Sequence, residues 1–364
     1  MPVAAAAEPT DTAVLESARF IAENSRDVWV PEDGVKQAAS QIMERMKQAK
    51  YSTALWKKHT LTPSVADLSA IEWIFVVDAL NFSFWPNNPQ APYTVTLDQV
   101  EYRGYWSLCA AVNRALQEGI PITSASFYAH MTRDKVAAVF RTDDPGTQEP
   151  MPMLDERVQV LNEVGRVLVD KYQGRFASVV EQSGGSARRL VELVVRDFPC
   201  FRDEHSFHGR PVCLYKRAQI LVADIWACFE GRGLGRFDDI DCVTMFADYR
   251  VPQALCHFGA LSYSPRLQKY LVCSERAVYG GSAAAAAAVV ACPPEPGLLP
   301  SGHPWEVEIR GNSIWAVERI CQHIRAAGMQ VNAILIDFYL WDTAKEHSDS
   351  MRTIPIHLTR SVFY

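Results

Sequence analysis

The 364-residue sequence predicts a mainly α-helical fold, and three observations predict it. Apolar residues recur at three- and four-residue spacing through most of the chain, as one face of a helix requires. Glycine or proline stands just beyond several of these stretches, at Pro86, Gly119, Gly174 and Gly231. β-Branched and aromatic residues are concentrated in only one short run, 93–103 (YTVTLDQVEYR), which reads as a strand or hairpin. With no internal repeat and no clean linker, the expected organisation is a tail at 1–12 and a single helical domain over 13–364. A low-complexity loop of Gly, Ala and Pro is inserted at 280–304 and is expected to carry no chemistry.

In chain order, helices are expected over Val14–Asn24 and Val35–Met46, each with one apolar stripe. Thr62-Pro63-Ser64 reads as a helix start, since proline is preset for the first turn and the hydroxyls can cap. That helix runs through Leu68, Ile71, Phe75 and Asp78 into the aromatic cluster Asn81–Trp85. After the hairpin come Tyr105–Glu118, then Ser124–Phe140 with a break near Thr132, then Leu154–Tyr172. Ser186–Phe198, Tyr215–Glu230 and Ile314–Ala327 complete the set, the last leading into 333–342.

A formal charge of −6 gives no basic footprint for wrapping duplex nucleic acid. Nine cysteines without a Cys-x-x-Cys pair point to reduced thiols in a cytosolic setting, with the nucleus as the alternative, and show no zinc spacing. His205 and His208 are the nearest approach to a metal pair, but Gly209-Arg210 makes them an exposed turn. No signal-peptide pattern opens the chain, and no apolar run is long enough to span a membrane. There is no Walker loop, dinucleotide fingerprint, nucleophile elbow or His-Glu-x-x-His.

The chemistry concentrates in 333–342 (AILIDFYLWD), where two carboxylates stand in an apolar and aromatic run. Buried acids must be paired, protonated or used. Asp337 and Asp342 lie about 140° apart on a helix, so they do not share a face, whereas Phe338 and Asp342 do. Either Asp337 lies in an aromatic-walled pocket with Asp342 at its rim, or both acids make structural hydrogen bonds in a core helix. Thr244–Pro252 repeats the theme, with Asp248 serving a site, pairing with Arg250 or capping the next helix. Lys216 and Arg217 open another helix, where a cation and unpaired backbone N–H groups suit a phosphate. The alternative is a solvated pair whose stems cover the core.

Several runs carry a resemblance: FIAENS at 20–25, NFSFW at 81–85, GYWSL at 104–108, GIPITS at 119–124, YKRAQ at 215–219, MFADYR at 245–250 and YLWD at 339–342. Together and in order they resemble the queuosine salvage protein family, the queuosine 5'-phosphate N-glycosylase/hydrolases, from about Val14 to Tyr364 outside the insertion. The resemblance implies an all-helical, DNA-glycosylase-like architecture, no cofactor, and hydrolysis of queuosine 5'-phosphate to release queuine for reuse in tRNA. It places the catalytic acid at Asp337 and base recognition at His59, Phe246, Asp248, Phe338 and Asp342. Phe338 stands where the family commonly has tyrosine, so ring stacking is kept without the hydroxyl.

In physical terms, breaking a ribosyl C–N bond builds positive charge on the sugar, which a fixed carboxylate in a dry site stabilises. Asp337 could equally orient water or form a covalent intermediate. Queuine is a 7-deazaguanine, so ring position seven takes no proton and leaving-group help must come from elsewhere on the base. Lys216 is the expected phosphate ligand, while Arg217, about 100° round the helix, should face solvent or a structural acid. A non-catalytic queuosine- or nucleotide-binding protein, and a glycosylase acting on another modified nucleotide or on RNA or DNA, are the competing classes.

Overall fold

A computed structural model describes residues 12–49, 51–279, 297–347 and 349–364. The expected tail lies outside these residues except for Thr12, and so does the expected insertion except for 297–304. Those last eight residues are not all loop. Leu299 is buried and its N–H donates to Leu358 O at 2.9 Å, and a helix begins at Pro304.

Helices dominate. The N-terminal pair is α1 (Val14–Asn24) and α2 (Glu32–Ala49), followed by α3 (Leu68–Ala79) and α4 (Tyr105–Gln117). Next come α5 (Ala125–Tyr128) and α6 (Arg133–Val139), with Thr132 accepting from Lys135 N at the expected break. The sequence continues through α7 (Leu154–Tyr172), α8 (Ala177–Gln182), α9 (Ala187–Asp197), α10 (Lys216–Cys228), α11 (Val251–His257) and α12 (Pro265–Tyr279). The last two are α13 (Pro304–Ala326), ten residues longer at its start than the periodicity implied, and α14 (Ala333–Glu346).

Helix α3 begins later than Thr62-Pro63-Ser64 suggested. Asp67 is its cap, accepting from Ser69 N at 2.9 Å and Ala70 N at 3.1 Å, because a carboxylate satisfies two orphan N–H groups. Thr62 instead donates its hydroxyl to Trp56 O and His59 O.

The expected hairpin is present as β2 (Thr94–Leu97) paired with β3 (Val100–Arg103). Two further antiparallel pairs carry no such sequence signal, β1 (Val28–Trp29) with β6 (Ser262–Tyr263) and β4 (Glu204–Phe207) with β5 (Arg210–Cys213). The turn at His208-Gly209 has φ of 48° and 79°, the paired left-handed geometry that a two-residue hairpin requires. His205 is on the strand before it, 3.0 Å from Asp203, and not on an exposed turn. Seven described cysteines are free thiols, and Cys273 is disulfide-bonded.

Among the described residues two large apolar cores form, with a small third cluster at Trp85, Ile356 and Leu358. One gathers α3, α4, α7, α9 and α10, and the other gathers α1, α2, α11, α13 and α14. Helix α14 runs between them: Ile334 and Phe338 pack on the first core, while Ile336, Tyr339 and Leu340 pack on the second. A helix apolar nearly all round has two faces to bury.

Two buried arginines fix where α3 ends. Arg157 donates to Leu80 O at 2.5 Å, Phe82 O at 2.6 Å and Pro152 O at 2.8 Å. Arg217 donates to Ala79 O and Cys200 O. Far from facing solvent or an acid, Arg217 is 1% exposed, because the unpaired carbonyls at a helix C-terminus attract cations into the core. These contacts set the path of 80–85, which borders the cavity described next.

Candidate active site

A cavity of about 820 Å³ opens where α14 passes between the two cores. Its wall includes Asp337, His59, Phe246, Asp248, Phe338, Asp342 and Lys216, so every site residue expected from sequence lies on one pocket.

Asp337 is 4% exposed, and its Oδ2 accepts the Phe246 N–H at 2.9 Å. No described residue donates a hydrogen bond to Oδ1. Burial, followed by the charge of Asp248, pushes the Asp337 carboxyl well above the carboxylate range, with the Phe246 N–H and Lys216 opposing. The segment carrying Phe246 and Asp248 is non-helical and held at several points. Thr244 N donates to Gln219 Oε1 at 3.0 Å, and Arg310 Nε donates to Ala247 O at 2.8 Å. Asp248 Oδ1 accepts from Arg250 N at 2.7 Å and Val251 N at 2.9 Å, so Asp248 both lines the cavity and caps α11.

Arg310 is fully buried and bonded to Asp203 (2.5 Å) and Glu306 (3.0 Å). Asp203 Oδ2 also accepts from Lys216 N at 3.2 Å, so one ion pair fixes both the start of α10 and the 246–248 segment. Burial disfavours the Asp203 carboxylate, but Arg310 and the hydrogen-bonded His205 together more than offset it and hold the group strongly acidic.

Lys216 is 4% exposed, its Nζ donating to Asn81 O at 3.3 Å. Burial lowers it, while the carboxylates of Asp248, Asp78 and, more weakly, Asp337 hold it up. Beneath it Asp78 is completely buried, with Oδ2 unbonded, and Asp224 accepts from Trp56 Nε1 at 3.0 Å. Burial raises both carboxyls, and the charge of Asp78 raises Asp224 further. One ammonium thus faces a group of acids.

Aromatic rings form the rest of the wall. His59 stacks on Trp106 with centroids 3.4 Å apart and planes 3° from parallel, and Trp106 meets Trp341 edge-on at 6.1 Å. His59 Nδ1 accepts from Leu61 N at 3.2 Å, and burial lowers its pKa, which leaves the proton of the neutral ring on Nε2. Phe246 and Phe338 lie 6.1 Å apart, tilted by 54°. Asp342 accepts from Tyr51 OH; burial raises the Asp342 carboxyl, and that hydrogen bond works against it.

Tyr51, Trp106, Asp224, Trp341 and Lys345 also line the cavity without having been expected there, and so does Arg250, whose backbone N–H, not its guanidinium, bonds Asp248. Trp106 and Trp341 stand inside runs that carried the resemblance, and Asp224 ends an apolar run much as Asp337 interrupts one. Arg250 closes another of those runs, MFADYR, whereas Tyr51 and Lys345 have no such signal. Among the described residues no cluster of His, Cys, Asp and Glu is suited to a metal ion, and no helix is long and apolar enough to cross a membrane.

The family model for queuosine salvage protein matches residues 61–285 and 295–364. A queuosine 5'-phosphate N-glycosylase/hydrolase of Mus musculus is 44% identical, over 96% of this chain and 98% of its own. Proteins with the same name from Schizosaccharomyces pombe (42%, over 96% and 99%) and Sphaerobacter thermophilus (36%, over 98% and 100%) are also similar.

Proposed function

We infer, from the fact that this chain belongs to the queuosine salvage protein family, that it hydrolyses the N-glycosidic bond of queuosine 5'-phosphate and releases queuine. The observation that carries the mechanism is Asp337: a buried carboxylate, anchored through Oδ2, with Oδ1 unbonded among the described residues, on the wall of a nucleotide-sized cavity. As the bond from C1' to the base breaks, positive charge grows on the ribose, and a carboxylate already fixed in a desolvated site stabilises it without reorganising. Water supplies hydroxide to C1' and a proton to the departing base, giving queuine and ribose 5-phosphate. No cofactor takes part in this reaction.

The base stacks against Phe246 and Phe338, worth roughly 1–3 kcal/mol per base in comparable contacts. Asp248 and Asp342 accept from its guanine-like N–H edge and its cationic side arm, and His59 offers Nε2–H. The substrate is a free nucleotide, since a net charge of −6 does not favour duplex binding. A single domain in the cytosol fits this role.

The pH profile of queuine release tests the assignment. Asp337 works ionised, and burial and Asp248 raise its pKa, so kcat/KM should climb with pH through an acid limb lying above the ordinary carboxylate range. Asp248→Asn removes one raising charge and should move that limb to lower pH, whatever it does to affinity. A limb that stays in place would dissociate Asp337 from the titrating group.

A further inference from the structure

We propose that Arg250 and Lys345 together form the subsite for the 5'-phosphate. This deepens the functional reading above and rests on it for the identity of the nucleotide.

Five Lys and Arg side chains line the cavity among the described residues: Lys58, Arg103, Lys216, Arg250 and Lys345. Arg103 is paired with Glu101 at 2.8 Å. Lys58 stands alone at the exposed end of the 3₁₀ turn Thr53–Lys58. Lys216 is occupied by its own acids, its charge facing Asp248, Asp78 and Asp337 while Nζ reaches Asn81 O. A phosphate placed there would meet those carboxylates.

Arg250 and Lys345 differ from the others. They come from two packed elements, Arg250 just ahead of α11 and Lys345 in the last turn of α14. Neither is ion-paired to a carboxylate among the described residues. The Arg250 guanidinium donates to Gln253 Oε1 at 3.3 Å, and Lys345 Nζ rests 5.1 Å from the centre of the Trp341 ring. Lys345 is exposed along its length, with its ammonium over the Trp341 ring on the cavity wall. Desolvation by the neighbouring protein, and then the like charge of Arg250, lowers it to about 8, with Asp248 pulling the other way. Asp248 is the nearby acid, and its Oδ1 already takes two backbone N–H groups. Two adjacent cations repel each other, and a dianion between them turns that cost into charge-assisted hydrogen bonds.

The position also suits the substrate. Phe338, Asp342 and Lys345 fall at i, i+4 and i+7 of α14, one stripe facing the cavity. Side chains on a helix lean toward its N-terminus, and Lys345 Nζ accordingly sits over Trp341, one turn back toward Asp337. From Trp341 to Asp337 the helix rises only about 6 Å, comparable to the span of a ribose from anomeric carbon to 5'-phosphorus.

Lys345→Met keeps the stem over Trp341 and removes the charge, and Arg250→Gln keeps a hydrogen-bonding head. Each should lower kcat/KM for queuosine 5'-phosphate by on the order of 10- to 100-fold, and far less for unphosphorylated queuosine, with Lys345→Arg restoring much of the difference. Equal losses on both substrates, or none on either, would overturn the subsite. Calorimetric titration with inorganic phosphate needs no turnover and separates the two claims. Binding by the wild-type chain that is abolished in the double variant supports the subsite even if no queuine is ever released. Active wild-type enzyme whose phosphate binding is indifferent to both residues removes it.

Discussion

Asp337→Asn should yield a folded protein that still binds queuosine 5'-phosphate but turns it over on the order of 10²- to 10³-fold more slowly, the scale seen when one preorganised group opposite developing charge is removed. The amide keeps an oxygen to accept the Phe246 N–H, so the 246–248 segment stays in place and the loss falls on kcat. Burying a neutral amide also relieves the desolvation that opposes the ionised carboxylate, so thermal stability should hold or rise. Release of queuine at the wild-type rate would remove Asp337 from the chemistry. A raised KM with unchanged kcat would make it a binding group only.

Lys216→Met should be as damaging, and in a different way from the phosphate-ligand role that sequence suggested. The ammonium sits among Asp248, Asp78 and Asp337, and its charge helps to keep Asp337 ionised. Without it the buried carboxylates lose a counter-charge and hold their protons to higher pH. The expected result is a loss of about 10²-fold or more at neutral pH, equal for queuosine 5'-phosphate and queuosine, with the acid limb moved upward. A loss confined to the phosphorylated substrate would return Lys216 to the phosphate and count against Arg250 and Lys345.

The acids of this site are legible in the chain because burial leaves a mark on sequence, whereas His59 and the base-recognition roles are marked only by the family resemblance. Asp337 and Asp342 interrupt an apolar stretch, and α14 is apolar on two sides because it lies between two cores. Helix ends marked by Gly119 and Gly174 fell where left-handed φ values of 76° and 74° occur. What remained hidden depends on contacts distant in sequence. Nothing local distinguishes Arg157, deep in the core against Leu80 and Phe82, from a solvated arginine on an amphipathic helix. Arg217 was misplaced for the same reason, since its partners are carbonyls 138 and 17 residues away. The β4–β5 hairpin escaped notice because a His-Gly turn between four-residue strands offers little periodicity. Lys345 resembles any lysine closing a helix until α11 brings Arg250 beside it.

The most direct measurement is a time course of base release with queuosine 5'-phosphate in large excess over the purified chain. Queuine and ribose 5-phosphate should accumulate in equal amounts, well beyond one equivalent of protein, and Asp337→Asn should suppress both. Nucleotide that binds tightly and is recovered intact, with no free queuine above the uncatalysed background, would make the protein a binder and contradict the hydrolase.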